Sequence, residues 1–92
     1  MNEQKRRILW NFTSSYAKNG MPIHTQLRMV RKLLGLSQTD VGAMIGVHPT
    51  GICVLENGRH GLTLTKLQRY CDALELSLVL MPKGFVKDLE AK

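Results

Sequence analysis

From His24 to Leu74 the apolar side chains recur every three or four positions in short bursts, and glycines close three of the four. Leu27, Val30 and Leu34, with Leu33 nearby, predict a helix near 24–34 that stops at Gly35. Ser37 then stands as an N-cap, with Asp40 three residues on as a partial capping box and first-turn anion. Val41, Met44 and Ile45 form the inner face of that second helix, and Gly46 ends it. A third helix follows at once, with Ile52 and Leu55 facing inward and Asn57-Gly58 closing it. Thr63 or Thr65 caps a fourth, in which Leu67, Tyr70 or Cys71, and Leu74 lie three or four residues apart.

The two flanks have other patterns. Residues 3–17 place Ile8, Leu9, Trp10, Phe12 and Tyr16 among polar residues at helical spacing, and NGMP at 19–22 interrupts them as a hinge. Trp10 and Phe12 are expected to pack on the helical core rather than to form a partner-binding stripe. LELSLVLMP at 74–82 puts Leu76, Leu78 and Leu80 at period two, with Val79 between them and Pro82 as a stop, which predicts one short strand. A single strand leaves its backbone donors and acceptors unmatched. Its partner is either the chain near Met21–Ile23 or the same strand of a second subunit, the latter implying a two-fold dimer. The expected fold is all-α with one short β-strand, in four parts: a helix and hinge at 1–23, a helical domain at 24–75, a dimerisation strand at 76–81 and a tail at 82–92.

Length and charge narrow the classes of function. Ninety-two residues make one domain with a terminal extension, small enough for oligomerisation to add stability. The net charge of +6 is uneven: residues 1–46 carry seven basic against two acidic side chains, and residues 47–92 six against five. That balance favours a polyanionic partner. Cys53 and Cys71 form no CxxC and, with His24, His48 and His60, give no metal-ligand spacing, so neither metal nor cofactor is expected. No apolar run approaches membrane-spanning length and the start lacks the apolar core of a signal peptide, so the expected location is the cytoplasm, with reduced thiols and no membrane partner. Without a nucleophile and base, paired carboxylates or a phosphate-cradling glycine loop, an enzyme is not expected.

The centre of the chain, SQTDVGAMIGVHPTGICVLENG at 37–58, has the layout of two short helices joined by a tight glycine turn. Gly46 permits the turn, and Val41, Val47, Ile52 and Leu55 lock the helices together. Gln38 opens the second helix where its amide can reach a phosphate over the helix dipole, and the third helix keeps its first turn free for a major groove. In these features residues 24–74 resemble the XRE-type, lambda-repressor-like helix-turn-helix regulators, with SQ at 37–38, GV at 46–47, Ile52-x-x-Leu55-Glu56 and ENG at 56–58. The resemblance implies an ion pair between Arg31 and Glu56 that braces the first and third helices. TLTKLQRYCDALELSLVL at 63–80 is more narrowly similar to the end of HipB-type antitoxins. That similarity implies an intersubunit sheet, a homodimer on palindromic double-stranded DNA, and a HipA-like kinase toxin as second partner. A phage-type or controller regulator without a toxin, and an interaction module with weak DNA binding, are the alternatives.

Carried over position by position, the base-facing sites are Pro49, Thr50, Gly51, Cys53 and Val54, with His48 at the N-cap. Gln38, Arg59 and Lys66 are the phosphate candidates, with Thr39 beside Gln38 as a further DNA-binding position. This third helix departs from the family by holding no lysine or arginine, so guanine cannot be read bidentately from it. Methyl contacts from Thr50 and Val54, a His48 donor and close backbone approach at Gly51 remain, which predicts phosphate positioning and shape readout over a hydrogen-bonded code. Gly51 weakens its helix by roughly 1 kcal/mol relative to alanine, a cost that close approach would explain. Plainer roles compete with several of these: a cap for His48, a tolerated small residue rather than a redox switch for Cys53, a core thiol for Cys71, and surface positions for His24 and His60. Arg28 and Lys32 read first as a solvated face.

Overall fold

A computed structural model describes residues 2–58 and 63–84, which include five helices: α1 (Glu3–Lys18), α2 (Ile23–Leu33), α3 (Gln38–Ile45), α4 (Pro49–Asn57) and α5 (Leu64–Ala73). The described residues fall into two compact units, one within Ile23–Leu78 and one of residues 2–22 with 79–84.

In the central unit α4 packs on α2 and α3, and α3 packs on α5. Leu27, Val30, Val41, Ile52, Leu55, Tyr70, Cys71 and Leu74 are its buried hydrophobic residues. The third- and fourth-residue spacing therefore marks the inner faces, though Leu34, Ile45 and Leu67 are half-buried and Leu33 is exposed. Met44, expected inside, is 54% exposed; three residues on from Val41, at about 100° each, it lies about 60° short of a full turn and off the buried face. The caps are local and polar. Ser37 Oγ accepts from the Asp40 N–H at 2.9 Å, and Asp40 Oδ2 accepts from the Ser37 N–H at 2.8 Å, completing the capping box. Thr63, not Thr65, caps α5, its Oγ1 accepting from the Lys66 N–H at 3.2 Å.

Four helices end in one geometry. After α1, α2, α3 and α5 the chain turns through a left-handed residue, Gly20, Gly35, Gly46 and Glu75 respectively. The next residue's N–H reaches back five places: Met21 to Tyr16 at 3.0 Å, Leu36 to Arg31 at 3.1 Å, Val47 to Gly42 at 2.9 Å and Leu76 to Cys71 at 2.8 Å. This is the Schellman closure, and at α5 a glutamate takes the glycine's place.

The expected strand is not found within the single chain: among the described residues no strand forms, and Leu76 spends its N–H on closing α5 rather than on a ladder. Among the described residues Leu78 and Leu80 follow without ladder partners, and a strand needs a second backbone. In the other unit, Asn2 caps α1 by accepting from the Lys5 N–H at 2.8 Å. Trp10 and Phe12, expected to pack inward, are both exposed: 100° per residue turns Trp10 away from the buried Leu9 and Tyr16, while Phe12 keeps its ring 6.2 Å from that of Tyr16.

Candidate nucleic-acid interface

The pair α3 and α4 is held at its turn by two glycines with different duties. Gly46 has φ +72° and needs no side chain. Gly42 lies inside α3, where a Cβ would overlap the Val47 carbonyl oxygen; that closeness lets the Val47 N–H donate to the Gly42 carbonyl at 2.9 Å. Gly58 ends α4 at φ +66° with the His24 ring against it, so a Cβ there would meet the ring.

Beneath α4 lies a polar node. Glu56 is 2% exposed, and its two oxygens accept from the Arg31 Nε–H at 2.7 Å and Nη2–H at 3.0 Å. Tyr70 donates its hydroxyl to Oε2 at 2.5 Å, and Gln38 donates an amide hydrogen to Oε1 at 3.3 Å. Arg31 also donates from Nη1 to the Leu36 carbonyl at 2.8 Å. The carboxylate of α4 thus takes donors from α2, α3 and α5. Burial alone would push the Glu56 carboxyl up, but the bonds from Arg31, Tyr70 and Gln38 prevail and hold it below its ordinary value. The Tyr70 phenol is driven up, first by burial and then by its bond to Glu56. Burial, with Asp72 nearby, also raises the Cys71 thiol.

With α4 braced from below, its outer face is free. Thr50 and Val54 are exposed, one turn apart; Pro49, Gly51 and Cys53 are half-buried. At Gly51 the Val47 side chain approaches closely, 2.7 Å from where a Cβ would stand. Its lack of a side chain thus serves the turn's packing. His48 caps α4, Nδ1 accepting from the Thr50 N–H at 3.1 Å, which places the ring proton on Nε2 as an outward donor. Gln38 is half-buried and tied to Glu56, whereas Thr39 and Lys66 are exposed. Arg59 and His60 lie outside the described residues. Arg28 Nε is buried with no hydrogen-bond partner among the described residues, while Lys32 is exposed.

Sequence reasoning missed the part that four residues play. Asn57, taken only as a turn signal, is exposed seven positions after Thr50 and adds an amide to the Thr50–Val54 stripe. Its side chain also donates to Cys53 Sγ at 3.6 Å. The seven-residue spacing was a usable signal. Gly42 reads as an ordinary helix residue, and the roles of Tyr70 and His24 depend on contacts across the fold, so no local pattern announces them.

Among the described residues no helix is long and apolar enough to cross a membrane, and no three His, Cys, Asp or Glu gather as a metal site. A family model described as helix-turn-helix matches residues 27–81, well over half of the chain. No curated protein and no solved structure matches it.

Proposed function

The chain belongs to the XRE-type helix-turn-helix family, whose members are sequence-specific DNA-binding regulators, and on that premise we propose that it is a homodimeric repressor of its own operon. The observation that carries this reading is the outer face of α4, where Thr50, Val54 and Asn57 stand exposed while Ile52, Leu55 and Glu56 are buried. Thr50 and Val54 offer methyls to thymine, Asn57 an amide and His48 an Nε2–H donor. Gln38, Thr39 and Lys66, with Arg59, hold the phosphates. Because α4 carries no basic side chain, phosphate positioning and groove shape supply most of the affinity.

The dimer is supported by the exposed run Leu78–Met81, in which Leu80 is 99% exposed. Paired with its copy about a two-fold axis, such a run would supply the backbone partner it lacks here. Two recognition helices so related call for a palindrome with half-sites about 10 base pairs apart or a multiple of it. The similarity of residues 63–80 to HipB-type antitoxins further supports a HipA-like kinase toxin as a second partner. A kinase-like adjacent reading frame is the expected sign of that role, and its absence would leave a regulator without a toxin.

Gel shift on DNA from upstream of the chain's own reading frame tests the central claim. At two salt concentrations the wild-type protein is expected to prefer that fragment to a shuffled one, with affinity falling as salt rises. Equal binding to both fragments would sink the sequence-specific reading. It would favour a second one, an interaction module with weak DNA binding, for which the uncharged outer face of α4 also speaks.

A further inference from the structure

We propose that Glu56, held by Arg31 and Tyr70, is a positioning residue for DNA: it orients the Gln38 amide so that one nitrogen bridges the buried carboxylate and a backbone phosphate. This deepens the DNA-binding reading above and rests on it. Gln38 is the first residue of α3, half-buried, and its Nε2 donates one hydrogen to Glu56 Oε1 at 3.3 Å. An amide nitrogen carries two hydrogens in one plane. With one turned to Glu56, the other is directed away from the carboxylate.

The same helix end supplies further donors. Ser37 Oγ caps the Asp40 N–H and the Ser37 carbonyl accepts from the Val41 N–H. The N–H groups of Gln38 and Thr39 precede the first intrahelical bond and belong to the open, positive end of α3.

A bare carboxylate here would repel a phosphate. The bidentate Arg31 guanidinium, at 2.7 and 3.0 Å, offsets that charge, and the Tyr70 hydroxyl occupies Oε2, leaving Oε1 as the oxygen that holds Gln38. An unanchored glutamine must surrender its rotamer freedom when DNA arrives, whereas this one is already ordered in the folded protein. Gln38 at this position would serve as a plain phosphate donor without the node; the node makes it a pre-set one.

Phosphate contacts are independent of sequence, so the test uses the full chain and a random-sequence 30-base-pair duplex at low salt, with no operator required. Gln38→Ala is expected to weaken binding about three- to tenfold, one hydrogen bond's worth, without changing the salt slope, since a neutral donor displaces no counterion. Tyr70→Phe, verified as folded by circular dichroism, is expected to weaken binding about twofold to fourfold. In the double variant the loss should equal that of Gln38→Ala alone. Losses that multiply, or a folded Tyr70→Phe protein with wild-type affinity, overturn the proposal. If the wild-type chain fails to bind the duplex at all, the DNA-binding reading itself falls, which is a different result. Should Tyr70→Phe not fold, the side-chain amide signals of wild-type Gln38 decide by NMR. Two hydrogens already displaced from their free-glutamine positions that both shift further on adding duplex support the bridge, and a pair at free-glutamine positions and indifferent to DNA overturns it.

Discussion

Glu56 sits in the last turn of α4, nearly without solvent, and draws donors from three other helices. Removing such a carboxylate strands the Arg31 guanidinium in the interior. Glu56→Ala is therefore expected to cost about 3–5 kcal/mol, a large share of the roughly 5–15 kcal/mol that holds a small domain together. Urea unfolding would measure it. The pH dependence has a definite sign. Because the folded Glu56 carboxyl lies below its ordinary value, its contribution is complete above the unfolded carboxylate range near 4.3. It is lost as pH falls through the lower folded value. Tyr70 works at the other extreme: its phenol is raised in the fold, so stability is expected to decline as pH climbs above about 10 and the unfolded phenol ionises. Thermal melts between pH 2 and pH 11 would reveal both limbs. Of this node, only the Arg31–Glu56 pair was legible in the sequence, and only through family resemblance. Gln38 read as a surface donor and Tyr70 as one of two candidate core positions, since nothing in their local spacing records that they converge on one oxygen pair.

At the scale of elements, the helices were legible where their ends carry chemical punctuation. Ser37, Gly35, Gly46 and Gly58 stand at the boundaries their residue types suggest, because N-caps need a short oxygen and left-handed turns favour glycine. Where the punctuation is missing, the reading slips. Glu75 takes the left-handed position after α5 at φ +57°, so the stop is invisible and the period-two leucines beyond it look like an uninterrupted strand. A side chain in that region costs roughly 1 kcal/mol relative to glycine, and Glu75→Gly is expected to raise stability by up to that amount, measured as a higher denaturation midpoint. The α3–α4 turn makes the opposite demand. Gly42 sits against the Val47 carbonyl, so Gly42→Val must push the two helices apart. Loss of cooperative unfolding is expected in a calorimetric scan, and an unchanged melting profile would show that the turn has room to spare.

For the whole molecule, net charge and exposed apolar surface pull toward different partners. The charge of +6 favours nucleic acid, whereas Leu78, Val79, Leu80 and Met81 form an exposed apolar run that a lone chain leaves in water. On the dimer reading, Leu80→Glu is expected to yield monomers in sedimentation velocity and to weaken operator binding by at least tenfold, since each half-site must then be held alone. A variant that sediments as wild type would place the contact elsewhere. The sequence exposed this run clearly but gave no means of identifying what meets it, because a strand's pairing is a property of two backbones. The N-terminal segment was legible as a helix that stops before a glycine, and its function was not, since its exposed Ile8, Trp10 and Phe12 specify no partner chemistry.

The division of labour within α4 has a practical consequence. The residues that hold the helix in place point inward, and the stripe of Thr50, Val54 and Asn57 carries almost none of that load. A library randomised at those three positions should therefore consist mostly of folded proteins. New binding preferences could be selected from it by rewriting the outer stripe while leaving the scaffold beneath it untouched.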